Sequence, residues 1–119
     1  MTTILTGGLG KAEVARTIDT LALDGITVTV CNDMEAAALL RAGRADYFLG
    51  TCHTGAGASL GVLVGLMGTD VCHTFGRSIP TGDEVAALLT GGRRIFGFSL
   101  DQIGAAAPVI VRAIAAHTT

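Results

Sequence analysis

The stretch that decides the fold runs from Asp46 to Gly68 and reads DYFLGTCHTGAGASLGVLVGLMG. Its first apolar residues, Tyr47-Phe48-Leu49, are typical of a short buried strand, and residues 50–57 form a loop of small residues rich in glycine. An uncharged helix is predicted to follow this loop. A strand, a glycine-rich loop and a helix N-terminus together favour anion binding, because free backbone N–H groups converge where the helix dipole is positive.

Strand and helix patterns alternate along the rest of the chain. Strands are predicted near residues 3–6, 26–30, 47–49, 71–75 and 95–98, with helical patterns between and after them. This alternation predicts an α/β fold: a three-layer, five-stranded, mainly parallel sheet with helices on both faces, in a flavodoxin-like or half-Rossmann layout. The length fits a single α/β domain over residues 1–119. The expected strand order is 2-1-3-4-5.

In that order the chain reverses between the first and third strands, and ligands bind beyond the carboxyl ends at such a point. Glycine-rich segments follow both strands. The sequence therefore predicts that a small anionic metabolite, bearing a phosphate or carboxylate, binds there. The predicted ligand-binding residues are Gly7, Gly8, Asn32, Asp33, Thr51, Cys52, His53, Thr54, Gly55, Ala56, Gly57 and Arg77.

Two other interpretations of the glycines remain open. Residues 55–61 resemble a dinucleotide fingerprint with one residue too many, but a dinucleotide site needs two mononucleotide halves and the chain supplies one. No cofactor is assigned on this basis. The glycines can also serve packing alone, since Gly57, Gly61 and Gly65 lie four residues apart on one helical face. The surrounding residues make that helix apolar all round, which predicts that it is buried in the domain or meets a partner chain.

Cys52 and His53 are the candidate catalytic residues of an alternative function, a small-molecule enzyme. A cysteine near a helix N-terminus can have a lowered pKa and act as a nucleophile, although a small buried filler is the simpler interpretation. A phosphocarrier-like transport component is a further alternative. The recurrence of Cys-His at Cys72-His73 suggests zinc, but no C-x-x-C motif is present and no metal site is predicted.

Polar residues at the ends of other strands have two interpretations each. Asn32 and Asp33 can contact a ligand hydroxyl, or they can cap a helix and interact with its dipole. Arg77 can supply a bidentate fork for an anion, or it can be a solvated loop residue.

Composition restricts the partners. Half of the residues are hydrophobic and 15% are charged, below the quarter that is usual, which predicts an apolar subunit interface in a homo-oligomer. The net charge of −2 and the absence of clustered basic residues argue against nucleic-acid binding. Polar residues and glycines interrupt the uncharged run at 47–69, so no membrane insertion is expected. Three cysteines without a visible export signal predict thiols and a cytoplasmic location.

Three segments of the chain are similar to a known family. They are CNDMEAA at 31–37, ADYFLGTC at 45–52 and TGAGA at 54–58, and they resemble the YhfU-like family of small bacterial proteins of unknown function. The resemblance extends over most of the chain. It implies a cytoplasmic bacterial protein with a part in small-molecule metabolism, and it implies no role for any individual residue.

Overall fold

Residues 1–53 and 60–118 are described by the computed structural model. The helices and strands in this part of the chain are β1 (Thr2–Gly8), α1 (Lys11–Leu21), β2 (Ile26–Val30), α2 (Asp33–Arg41), β3 (Tyr47–Cys52), α3 (Gly61–Met67), β4 (Cys72–Thr74), α4 (Gly82–Thr90), β5 (Ile95–Ser99) and α5 (Ile103–His117). Single turns of 3-10 helix lie at Thr69–Val71 and Leu100–Gln102.

The five strands form one sheet in which every pair is parallel, so the predicted fold class is confirmed. The order is β2-β1-β3-β5-β4, and the expected order 2-1-3-4-5 is therefore wrong in its last two strands. Burial explains the exchange. All five residues of β5 are buried, which requires neighbours on both sides, whereas β4 has three residues that are half-buried or exposed and forms the edge.

The helices cover the two faces of the sheet unequally. Right-handed crossovers put α1, α4 and α5 on one face and α2 and α3 on the other, and the contacts between helices follow this division. The larger core lies under α1, α4 and α5, where Phe96, Phe98 and Ile110 are fully buried. The smaller core lies under α2 and α3, around Phe48 and Leu63.

The helix α3 is not buried within the domain, which is one of the two outcomes that its composition predicts. Leu63 is its one buried residue within Gly61–Met67, and Val62 is 43% exposed. A Cβ added to Gly61 or Gly65 would meet nothing within 4 Å. These two glycines therefore do not permit close packing within the described part of the chain. No helix in that part has the length and apolar character needed to cross a membrane.

Two helix starts agree with their sequence patterns. α2 begins with a capping box in which Asn32 accepts from the Glu35 backbone N–H and Glu35 accepts from that of Asn32. α4 begins with the same arrangement between Thr81 and Glu84. Ser99 precedes the 3-10 turn at Leu100–Gln102 without a side-chain cap, and its hydroxyl donates to the Asp101 carboxylate.

Candidate functional site

The site lies at the carboxyl ends of β1, β2 and β3, where the chain reverses direction across the sheet. Gly7 and Gly8 are the last residues of β1, and they pair with Gly50 and Thr51 of β3. The sequence placed these two glycines in a loop, but the structure extends β1 to include both. The end of β1 is therefore held in the sheet.

The glycines at the end of β1 are needed because other groups approach the backbone closely. Gly8 has φ of +82°, and a Cβ there would lie 2.1 Å from the Thr51 carbonyl oxygen. A Cβ on Gly7 would lie 2.6 Å from Cζ of Phe48 and 3.4 Å from Oδ1 of Asp33. Backbone packing thus accounts for both glycines, and the Asp33 carboxylate lies beside the backbone of Gly7.

A fully buried threonine fixes the turn from β1 to α1. Thr51 Oγ1 accepts a 2.8 Å hydrogen bond from the Gly10 N–H and donates to the Gly7 carbonyl at 3.4 Å. The Leu9 N–H donates to the Thr51 carbonyl at 3.2 Å. The Thr51 hydroxyl donates its one proton to the Gly7 carbonyl, so its role here is to position the start of α1.

The start of α1 differs from those of α2 and α4. Gly10 is its N-cap residue, and no side chain caps the helix within residues 1–53 and 60–118. The first backbone N–H groups of any α-helix lack partners within the helix. In α1 these donors begin at Lys11, so N–H groups that no side chain of the described residues caps belong to the residue that carries a positive charge.

A cavity of about 390 Å³ lies between the starts of α1 and α2. Its lining combines the end of β1, the first residue of α1 and the beginning of α2: Gly8, Lys11, Cys31, Asn32, Asp33 and Met34. Three residues predicted from the sequence, Gly8, Asn32 and Asp33, therefore share one cavity. Lys11 was not predicted. Its signal was present in the sequence, since it opens a helix directly after a Gly-Leu-Gly turn.

Burial controls the two titratable groups on the α2 side of the cavity. It raises the pKa of the Asp33 carboxyl above its usual range, and the positive charge of Lys11 opposes this rise. It also raises the pKa of the Cys31 thiol, to which the negative charges of Glu35 and Asp33 contribute. Cys31 is therefore a protonated thiol at neutral pH and a poor nucleophile.

The other predicted residues lie in different places. Cys52 ends β3 in register with Ser99 of β5, and His53 follows it with an exposed side chain. Thr54, Gly55, Ala56 and Gly57 lie outside the described residues.

Arg77 is exposed beyond β4 at the edge of the sheet. Since β5 lies between β3 and β4, the ends of β3 and β4 are two strand spacings apart, roughly 10 Å. The structure therefore does not bring Arg77 beside β3, as the expected strand order would have done.

The two Cys-His pairs are also separated, because β5 lies between the strands that carry them. His73 packs edge-on against Phe75 with ring centroids 4.7 Å apart. Within residues 1–53 and 60–118, no group of three or more His, Cys, Asp or Glu residues has a metal-binding arrangement.

Comparison with known proteins agrees with the resemblance seen in the sequence. The family described as "Protein of unknown function DUF2620" matches residues 2–114. The chain belongs to the DUF2620 family. Uncharacterized protein YhfU of Escherichia coli strain K12 is 33% identical over 106 residues, covering 87% of this chain and 91% of that protein. The YhfU protein of Shigella flexneri has the same identity and coverage. In this family member, the α/β sheet places the cavity beside Lys11 and Asp33 within the matched region.

Proposed function

We propose that this DUF2620 protein binds a small metabolite whose phosphate or carboxylate group lies at the start of α1. The observation that carries the proposal is the cavity beside Lys11, at a helix start that no side chain in the described part of the chain caps. Backbone N–H donors, the helix dipole and an ammonium group all favour an anion at this position. The cavity volume of about 390 Å³ suits a small ligand.

Asp33 limits the chemistry of the rest of the ligand. Its side chain lines the same cavity, and as a carboxylate it would repel a second anionic group. It would instead accept a hydrogen bond from a hydroxyl or amino group. The ligand proposed here therefore carries one anionic group toward α1 and a hydroxyl or amine toward α2. Thr54, Gly55, Ala56 and Gly57, after β3, complete the proposed site.

The proposal also covers the domain organisation, the assembly and the location of the protein. A single domain, a homo-oligomer and a cytoplasmic location are all part of it. The homo-oligomer is supported by the low charged fraction of 15% together with exposed apolar side chains, among them Leu9 at 63% and Met34 at 65%.

Titration with inorganic phosphate, followed by amide NMR, tests the proposal. We expect the largest shifts at the amides of Lys11 and Ala12, and a binding constant weakened about fivefold by Lys11→Gln. Arg16→Gln is the matched control, because this substitution removes the same charge. Arg16 is exposed and lies more than one turn further along α1. Equal weakening by both variants, or shifts spread evenly over the protein, would contradict a site at the start of α1.

A separate variant tests whether the phosphate binds in the cavity or beside Cys52. Binding in the cavity predicts that Cys52→Ala leaves phosphate affinity unchanged, since Cys52 ends β3 and does not line the cavity. Loss of phosphate binding in Cys52→Ala with an intact fold would place the site beside Cys52 and contradict a site at the start of α1.

A further inference from the structure

The outer edge of β2 carries backbone groups that face away from the sheet. On the inner side, the Thr2 N–H donates to the Gly25 carbonyl at 2.7 Å and the Cys31 N–H donates to the Thr6 carbonyl at 3.0 Å. Backbone groups of alternate residues point to opposite sides of a strand, so Thr27 and Thr29 also face β1. The N–H and C=O groups of Val28 and Val30 therefore point outward. In the described part of the chain, no strand pairs with this edge.

Proteins usually protect such an edge by short length, a bulge, a proline or a charged side chain. β2 reads ITVTV, with no proline and no charge, and its register with β1 is unbroken over five residue pairs. The opposite edge differs, because β4 has three residues and is too short to template a partner. One edge of the sheet is thus protected and the other is open.

We propose that the outer edge of β2 pairs with the same edge of a second copy of this chain, antiparallel about a two-fold axis at Val28. The N–H and C=O of Val28 then exchange hydrogen bonds with those of Val28 in the second copy. Each Val30 N–H donates to the Ile26 carbonyl of the other copy. The Ile26 N–H is already used, since it donates to the Leu23 carbonyl at 3.4 Å.

The side chains of β2 suit this self-pairing. The two-fold axis sets Thr27 opposite Thr29 and Ile26 opposite Val30, and these β-branched pairs stabilise neighbouring strands. No charge within β2 opposes its own copy across the axis, so the edge is complementary to itself, as a two-fold interface requires. A second copy therefore fits without any change in the strand. The two five-stranded sheets become one continuous sheet.

This inference specifies the interface of the proposed homo-oligomer and is independent of the ligand. A single pair of five-residue strands buries less than the roughly 800 Å² per partner of a standard interface. We therefore expect a dimer whose population depends on concentration, observable by light scattering below about 1 mM. A monomer at that concentration would overturn both the interface and the homo-oligomer.

Paired charge variants identify the surface. Thr27 and Thr29 are exposed, so T27K/T29K and T27E/T29E chains should fold. Each variant sets like charges opposite one another, and we expect its dimer dissociation constant to rise about tenfold or more. Mixing the two variants should restore a dimer, because opposite charges then face each other. A T27K/T29K chain that dimerises like the natural chain would overturn the β2 interface while leaving the homo-oligomer intact.

The control pair is T20K/T90K, which adds the same charge at exposed helical positions. Thr90 lines an apolar groove of about 540 Å³ between α4 and α5, the main alternative surface for a second copy. Our proposal expects this variant to dimerise normally. Dissociation of T20K/T90K with an intact fold would assign the interface to a helical surface that carries Thr20 or Thr90 and overturn pairing through β2.

Amide hydrogen exchange tests the pairing in the unmodified protein. The amides of Thr27 and Thr29 face β1 and should be protected at every concentration. Those of Val28 and Val30 should become protected only as the dimer forms. Val30→Pro removes an outward N–H without touching the β1 ladder, and edge strands tolerate proline, so this variant should also weaken the dimer. Val28 and Val30 amides that exchange rapidly in a fully dimeric sample would overturn the proposal.

Discussion

The helices α1 and α2 begin beside the same cavity but are held in different ways. At α2, Asn32 and Glu35 satisfy each other's backbone N–H groups within four residues of sequence. At α1, Thr51, 41 residues away, fixes Gly10, and none of the described side chains caps the helix. The comparison shows that the distant contact at α1 takes only the N–H of the N-cap residue, whereas the capping box at α2 also takes the N–H of Glu35 in the first turn. The four predictions that follow test this difference.

The largest effect is expected at the junction of β1 and β3 that carries α1. Gly8→Ala would put a Cβ 2.1 Å from the Thr51 carbonyl oxygen, and relieving this clash disrupts the ladder. We expect a loss of about 3 kcal/mol or more in the free energy of unfolding, measured by urea denaturation. Gly25→Ala is the control, because its φ of +76° carries similar strain but nothing lies within 4 Å. It should lose about 1 kcal/mol, and equal losses would refute the clash.

Thr51→Val should have the next largest effect, because it keeps the shape of the side chain and removes its hydroxyl. The buried Gly10 N–H then loses its acceptor, which costs about 1–3 kcal/mol of unfolding free energy. Faster amide exchange at Gly10 would accompany the loss. Thr17→Val is the control, since its hydroxyl bonds the Glu13 carbonyl at an exposed position and should change stability by less than about 0.5 kcal/mol.

The capping box of α2 should contribute less to the free energy of unfolding than the hydrogen bond between the Gly10 N–H and Thr51. Asn32→Ala removes the acceptor for the Glu35 N–H and should cost about 1 kcal/mol in thermal unfolding. Thr81→Ala at α4 breaks the same motif far from the cavity and should cost a similar amount. Phosphate shifts at the Lys11 amide should survive in both variants. Their loss in Asn32→Ala would mean that the two helix starts do not act separately.

The smallest effect on stability is expected for Lys11→Gln, which acts mainly on the pKa of Asp33. Burial already raises this pKa, and removal of the opposing positive charge should raise it further, as carboxyl NMR would show. A raised pKa in the folded state stabilises the protein most at low pH, and this contribution is lost as pH rises through the folded pKa. The decrease in unfolding free energy as pH rises through the Asp33 pKa should therefore be larger in Lys11→Gln than in the natural chain. An unchanged Asp33 pKa would show that Lys11 does not act on that carboxyl.

Local sequence patterns predicted the fold class and the start of α2, because both depend on neighbouring residues. The order of β4 and β5 in the sheet could not be predicted from local sequence patterns. It depends on which strand is buried from both sides, and that is decided by distant pairing. The composition held a clue, since Cys72-His73-Thr74 is more polar than Ile95-Phe96-Gly97-Phe98. The error placed Arg77 beside β3, where it does not lie.

Local patterns likewise predicted some residues of the candidate site, whereas other features of the site depend on distant contacts. The glycines after the first strand and the Asn-Asp pair after the second were evident from the sequence, because such residues mark strand ends. Lys11 was missed, because its position in the cavity depends on the pairing of Gly8 with Thr51. Asp33 was predicted, but its raised pKa follows from burial that only packing creates.

By itself, the sequence determined the alternation of strands and helices, the parallel α/β class and the capped start of α2, since periodicity and local hydrogen bonds suffice for these. Tertiary structure decided the strand order and the way in which Thr51, rather than a local capping box, fixes the start of α1. It also decided the cavity shared by Lys11 and Asp33, and which edge of the sheet is open. The physical reason is that each of these features depends on contacts between residues far apart in the chain.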